Sequence, residues 1–122
     1  MEFIDHIVII VNDVKRTADF YSKFLGKPIQ MDKEQVAFQV GDTKLFFGLP
    51  YGVYGRYDKD NCGLNHLAFG VTRLEELKYF EGVLNKAQIK NSGIKIDKYG
   101  KKEFIWFDDP DGVRLEFYLR EK

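Results

Sequence analysis

The chain has 122 residues, of which 44% are hydrophobic and 16% aromatic, a composition typical of a folded globular protein rather than a disordered one. Nineteen basic and nineteen acidic residues cancel, so no overall charge favours binding to nucleic acid or to an anionic membrane. The apolar runs are too short to span a bilayer, there is no signal-peptide pattern, and the single cysteine, Cys62, cannot form an internal disulfide. We therefore expect one cytoplasmic domain spanning residues 1–122.

The first part of the chain predicts a βαβββ module at about residues 1–50. Asn12 and Asp13 have the chemistry of a helix N-cap, and Gly41 with Asp42 is typical of a tight hairpin turn. The predicted elements are a strand at 3–11, a helix at 14–25 and strands at about 28–32, 34–40 and 43–49.

A segment rich in glycine and tyrosine, residues 51–63, is predicted to link this module to a second one. Its tyrosines Tyr51, Tyr54 and Tyr57 either close over a pocket or pack locally. The second module, about 64–122, repeats the order βαβββ. Its predicted elements are a strand at 64–71, a helix at about 73–88 and strands near 94–98, 103–107 and 113–120.

An internal repeat relates the two modules. His66 opens the apolar strand of the second module as His6 opens that of the first, and each strand runs into a helical pattern. The segment 43–47 near the end of module one corresponds to 113–117 near the end of module two. This superposition places Phe46 opposite Glu116.

Side-chain alternation along the strands predicts that His6, His66 and Glu116 point away from the helices. Taken singly, each histidine is more often a hydrogen-bonded strand residue than a ligand, and a strand glutamate is more often solvated. However, these are the only two histidines, and they occupy equivalent positions in a repeat. Because two imidazoles and a carboxylate on one face are costly to desolvate without a shared partner, we favour a divalent metal site with open coordination positions.

Further residues are candidates for a substrate pocket. The predicted apolar wall consists of Phe38, Phe46, Trp106 and Tyr118, although aromatic strand residues are more often part of the core. Arg114 is predicted to orient an anionic substrate. With both histidines assigned to the metal, either Tyr118 or a hydroxide on the metal is left as general base, so Glu116 and Tyr118 are the candidate catalytic residues.

These features together resemble the vicinal oxygen chelate superfamily, which includes glyoxalase I, bleomycin-resistance proteins, fosfomycin-resistance transferases and extradiol dioxygenases. The resemblance extends over essentially the whole chain. The segments that carry it are His6 on the first strand, Phe20-Tyr21 with Phe24-Leu25-Gly26, Asn65-His66-Leu67-Ala68-Phe69, and Asp109-Pro110-Asp111-Gly112 leading to Leu115-Glu116.

The resemblance implies an α+β fold in which two tandem βαβββ modules form a curved, half-barrel mixed sheet with helices on the outer face, often completed by a homodimer. It implies metal ligation by His6, His66 and Glu116, with Fe, Mn, Zn or Ni as the ion. Glyoxalase I would have a glutamate at the position of Phe46, so the resemblance is greater to fosfomycin-resistance transferases and extradiol dioxygenases.

The sequence therefore leads to two main hypotheses about function, beside a third in which a structural or regulatory protein retains the fold only. The first is a metal-dependent enzyme that chelates a small substrate through two neighbouring oxygens, with lyase, dioxygenase or fosfomycin-type transferase chemistry. The alternative is a protein of the bleomycin-resistance kind, which binds a small molecule without catalysis.

Overall fold

The computed structural model describes residues 1–53 and 55–122. The chain forms two compact units, Met1–Arg56 and Tyr57–Lys122. The boundary between the units falls within the predicted linker. Each unit contains one helix and one open, four-stranded mixed sheet, so the predicted α+β class with two βαβββ modules is confirmed. No helix of the described ranges is both long and apolar enough to cross a membrane.

The first unit follows the predicted order. Its elements are β1 (His6–Ile10), α1 (Val14–Leu25), β2 (Gln30–Met31), β3 (Gln35–Val40) and β4 (Thr43–Gly48). The strands are arranged β1-β4-β3-β2, with β1 parallel to β4 and the other pairs antiparallel. Asp13 is the N-cap of α1, because its Oδ1 accepts a hydrogen bond from the Arg16 amide at 2.9 Å, as its position before the helical pattern predicts.

Helix α1 packs on one face of this sheet. The ring of Tyr21 lies 4.3 Å from that of Phe47 and 6.3 Å from that of Phe38, centroid to centroid, and all three side chains are buried. Because side chains alternate along a strand, His6, Val8 and Ile10 are left on the opposite face of β1, where all three are exposed.

The second unit repeats this arrangement. Its elements are β5 (His66–Val71), α2 (Leu74–Lys86), β6 (Lys95–Ile96), β7 (Glu103–Asp108) and β8 (Arg114–Leu119), with the sheet order β5-β8-β7-β6. Helix α2 buries Leu77 and Leu84, and the Phe80 ring stacks on Phe117 at 4.4 Å. Leu115, Phe117 and Leu119 are therefore committed to the core, and Arg114, Glu116 and Tyr118 lie on the other face.

The turn before β8 fixes where these polar residues fall. The buried carboxylate of Asp109 accepts hydrogen bonds from the amides of Asp111 and Val113, both at 2.9 Å, and Gly112 adopts a positive φ of 87°. The turn thereby sets the register in which Ala68 of β5 pairs with Glu116 of β8.

Candidate functional site

Strand pairing confirms the internal repeat. In the first unit His6 pairs with Lys44, and Val8 pairs with Phe46. In the second unit His66 pairs with Arg114, and Ala68 pairs with Glu116. In both units the residue two places after the histidine, Val8 or Ala68, pairs with the residue in question, Phe46 or Glu116. Phe46 and Glu116 are therefore structurally equivalent.

The second unit brings two of the predicted metal ligands together. Nε2 of His66 lies 3.7 Å from Oε1 of Glu116, and the side chains are 43% and 15% exposed. The strands place them there because β5 and β8 are parallel neighbours and both residues point away from α2. An imidazole nitrogen and a carboxylate oxygen in this position are suitable donors for one divalent ion.

Each histidine is held by the side chain of the residue before it. Nδ1 of His66 lies 2.8 Å from Oδ1 of Asn65, and Nδ1 of His6 lies 2.7 Å from Oδ2 of Asp5. Because the Nδ1 hydrogen is donated to that oxygen in the matching tautomer, the Nε2 lone pair is left to bind a ligand. The sequence did not single out Asp5 and Asn65 as partners of the histidines, although both carry a side-chain oxygen and occupy the same repeat position.

Phe46 occupies the strand position in the first unit that Glu116 occupies in the second. Its ring meets the imidazole of His6 edge-on at a centroid distance of 5.7 Å. A phenyl ring has no donor atom, so this part of the site contributes an apolar wall beside His6. Within each unit taken alone, the described residues form no group of three or more His, Cys, Asp or Glu side chains that would hold a metal.

Burial changes the acid–base behaviour of Glu116. Its pKa is raised above the usual range mainly because partial burial disfavours the charged carboxylate. The His66 and Arg114 side chains oppose this shift, and the negative charge of Asp97 adds to it. A cation bound next to Glu116 would therefore stabilise the charged form of this carboxylate, which burial makes costly to ionise.

Tyr118 is bound to a carboxylate from a distant turn. Its hydroxyl donates to Oδ2 of Asp97 at 2.8 Å, and Asp97 also accepts from the amides of Tyr99 and Gly100. The hydrogen bond raises the pKa of Tyr118 and lowers that of Asp97. The phenol is thus held in its protonated form as a donor, which disfavours the predicted role of Tyr118 as a general base.

A second cluster on the same face surrounds Arg114. Its Nε donates to Oδ1 of Asp108 at 2.6 Å, and the guanidinium lies over the Trp106 ring at 4.0 Å from the centroid. With Ile89 and Lys90, these residues line a cavity of about 200 Å³. The predicted pocket residues Trp106 and Arg114 are therefore in contact with each other and with a space open to a ligand.

The prediction for Phe38 was wrong. Phe38 is fully buried, pairs with Leu45 and packs against Tyr21 and Phe47, so it belongs to the core under α1. The neighbouring Ala37 is the residue that pairs with Phe46 on the other face.

The linker tyrosines do not share one environment. Tyr51 is fully exposed, and the Tyr57 hydroxyl donates to the carbonyl of Leu64, which is local packing. Tyr54 lies outside the described residues.

Comparison with known proteins identifies the family. The family model described as the Glyoxalase/Bleomycin resistance protein/Dioxygenase superfamily matches residues 3–117. The chain belongs to this superfamily. It is 32% identical to the uncharacterized protein YaeR of Escherichia coli over 94% of both chains.

Solved structures agree with this family. The glyoxalase family protein of Enterococcus faecalis is 26% identical, with a TM-score of 0.76 over 96% of this chain and 97% of that one. The fosfomycin resistance protein FosX of Listeria monocytogenes is 18% identical, with a TM-score of 0.76 over 98% and 94% of the two chains, and at this identity it shows the shared fold alone.

Proposed function

We propose that this superfamily member is a divalent-metal-dependent enzyme that acts on a small substrate chelated through neighbouring oxygens. The observation that supports this most directly is the pair His66 and Glu116, with Nε2 and Oε1 separated by 3.7 Å. The candidate reactions are of the lyase, dioxygenase or fosfomycin-type transferase class. The superfamily is named after two kinds of enzyme, glyoxalases and dioxygenases, and after a bleomycin-resistance protein.

The donor set fits a divalent ion such as Fe, Mn, Zn or Ni. His66 and Glu116 would hold it together with His6, which we include because it is the repeat equivalent of His66 and its Nδ1 is held in the same way. One carboxylate and two neutral imidazoles are borderline ligands that suit first-row metals. When bound, the ion supplies Lewis-acid stabilisation of negative charge on a substrate oxygen.

The chain's own side chains supply binding and orientation. Asp5 and Asn65 hold the imidazole rings, and Phe46 adds an apolar edge-on contact beside His6. Tyr118 presents its phenol on the same face of β8 as Glu116, and because the phenol hydrogen is donated to Asp97, the phenol oxygen is left to accept a hydrogen bond from the substrate. In this proposal, Tyr118 and Glu116 are the catalytic residues, and Trp106 with Arg114 forms the pocket wall.

A homodimer is part of the proposal. In the first unit β1 pairs only with β4 among the described strands, so its other edge carries backbone groups available for pairing. Phe3, Ile4 and Val8, on or just before this strand, are 58%, 63% and 58% exposed. Burial of this apolar surface by a second copy of the chain would stabilise a dimer.

A cytoplasmic location is also part of the proposal. It is supported by the exposed free cysteine Cys62, which is typical of a reducing compartment.

The test is an activity panel with the full-length chain. The metal-free protein is reconstituted with Fe(II), Mn(II), Ni(II) or Zn(II) and assayed against diol, α-oxo and epoxide substrates. We expect turnover with at least one metal, its loss in His66→Ala, and full activity in Asn61→Ala, a control in the linker. Saturable binding of a small molecule without turnover under any metal would contradict the enzyme and support the sequestering alternative.

A further inference from the structure

The Arg114 cluster has the features of an anion-binding subsite. Arg114 is fixed on two sides, because its Nε donates to Asp108 at 2.6 Å and its guanidinium stacks on Trp106 at 4.0 Å. Its side chain is only 23% exposed. Asp108 is its sole hydrogen-bond acceptor among residues 1–53 and 55–122, so the two terminal nitrogens are left to bind a ligand.

The charge around the cavity is also unbalanced. The lining residues Lys90 and Arg114 carry two positive charges and Asp108 carries one negative charge, which leaves a net charge of +1. Lys90 forms no ion pair with any other described residue. A simple structural ion pair between strands would need neither the second cation nor the open volume of about 200 Å³.

The Arg114 cluster lies close to Glu116 on the same face of the sheet. Arg114 and Glu116 lie on the same face of β8, two residues apart, and this corresponds to about 7 Å along a strand. Trp106 pairs with Glu116 and Asp108 pairs with Arg114, so the cluster and the Glu116 carboxylate share one continuous surface of the second unit.

We infer that this cavity binds the carboxylate or phosphate group of a small anionic ligand. The planar guanidinium offers two parallel N–H donors to the oxygens of such a group, and Lys90 adds a second positive charge. The assignment of this anion as the substrate rests on the proposed function. The binding step itself needs no metal, since Arg114 and Lys90 act on the anionic group alone.

The chain contains a single tryptophan, so the intrinsic fluorescence of Trp106 reports directly on this cavity. Metal-free protein is titrated with inorganic phosphate, acetate or neutral acetamide at constant ionic strength. We expect saturable fluorescence changes with phosphate or acetate and none with acetamide. The relative affinities for phosphate and acetate distinguish a phosphate ligand from a carboxylate ligand.

Substitutions locate the binding. Arg114→Lys keeps the charge but loses the planar fork, and we expect anion affinity to fall roughly tenfold or more. Lys90→Ala should reduce affinity by about twofold to fivefold. Lys86→Ala, at an exposed lysine in the last turn of α2, should leave it unchanged.

Two outcomes separate this inference from the metal proposal. Glu116→Gln should lose metal but bind the anion at least as tightly, whereas Arg114→Lys should keep metal and bind the anion roughly tenfold more weakly or worse. Equal anion affinity in the original protein, Arg114→Lys and Arg114→Gln, with folding verified by circular dichroism, would overturn the inference. The absence of any saturable response to either anion would overturn it as well.

Discussion

Nε2 of His66 and Oε1 of Glu116 lie 3.7 Å apart on neighbouring parallel strands, and the other ring nitrogen of His66 is engaged by Asn65. The same engagement occurs at His6 through Asp5. A histidine whose Nδ1 is fixed in this way presents Nε2 in one orientation. The repeat therefore preserves both the histidine, which is the candidate ligand, and the oxygen that orients its ring.

The first prediction concerns these orienting residues. Removal of the oxygen acceptor in Asp5→Ala or Asn65→Ala leaves the histidine in place but frees its ring, so metal affinity should fall by about 10- to 100-fold. Competition with a chromophoric chelator measures this. Asp42→Ala, in the exposed turn between β3 and β4, is the control. If both variants bind metal as tightly as the control, the orienting role is excluded.

The second prediction concerns the approach of Gly100 to Tyr118. A methyl group at residue 100 would overlap the Tyr118 hydroxyl and lie 2.9 Å from Oδ2 of Asp97. Gly100→Ala should therefore lower the free energy of unfolding by about 1–3 kcal/mol. A large part of this cost should disappear in the Tyr118→Phe background, because the remaining contacts are with Oδ2 of Asp97 at 2.9 Å, whose side chain is no longer tied to the phenol, and with Cζ of residue 118 at 3.4 Å.

Urea unfolding of the four proteins in this double-mutant cycle gives the coupling energy between residues 100 and 118. Gly82→Ala is the matched control, since an added Cβ in this part of α2 meets nothing within 4 Å. It should raise stability by about 0.5–1 kcal/mol. Additive effects of Gly100→Ala and Tyr118→Phe would show that the two residues do not meet in this way.

The third prediction is a pH dependence of the contact between Asp97 and Tyr118. Because the hydrogen bond lowers the folded-state pKa of Asp97, the contact stabilises the protein above the unfolded-state pKa of an aspartate, about 4, and this stability is lost as the pH falls through the lower folded-state value. The stability difference between the original protein and Asp97→Asn should therefore be largest near neutral pH and shrink below about pH 4. A difference that stays constant from neutral to acidic pH would argue against a charged acceptor.

The fourth prediction concerns a buried hydroxyl in α1. Thr17 is fully buried, and its Oγ1 has no hydrogen-bond partner among the described residues. Thr17→Val replaces the hydroxyl by a methyl of similar shape and should raise the unfolding free energy by about 1 kcal/mol. Thr43→Val should have the opposite effect, because Oγ1 of Thr43 donates to the carbonyl of Ile4 at 2.7 Å. Thermal and urea unfolding measure the unfolding free energy of both variants. A change of the same sign in the two would contradict the prediction.

The sequence predicted the two modules and their helices well because periodicity, N-cap chemistry and turn residues are local signals. It also predicted that His66 and Glu116 would share a face, since both positions follow from alternation within strands. Phe38 was predicted to line the apolar pocket wall, but it pairs with Leu45 and points to the same face, so both side chains are buried in the core. The contact of Tyr118 with Asp97 joins residues 21 positions apart through the geometry of a turn, which local patterns do not encode.

The central claim is that Glu116 and the two histidines hold a metal ion. Elemental mass spectrometry on untagged protein, purified without chelator, tests it most directly beside Glu116→Ala and the control Glu121→Ala, which removes an exposed carboxylate beyond the end of β8. We expect near-stoichiometric metal in the original protein and in the control, and a marked loss in Glu116→Ala. The absence of metal even after anaerobic reconstitution, or equal metal in all three proteins, would contradict the account.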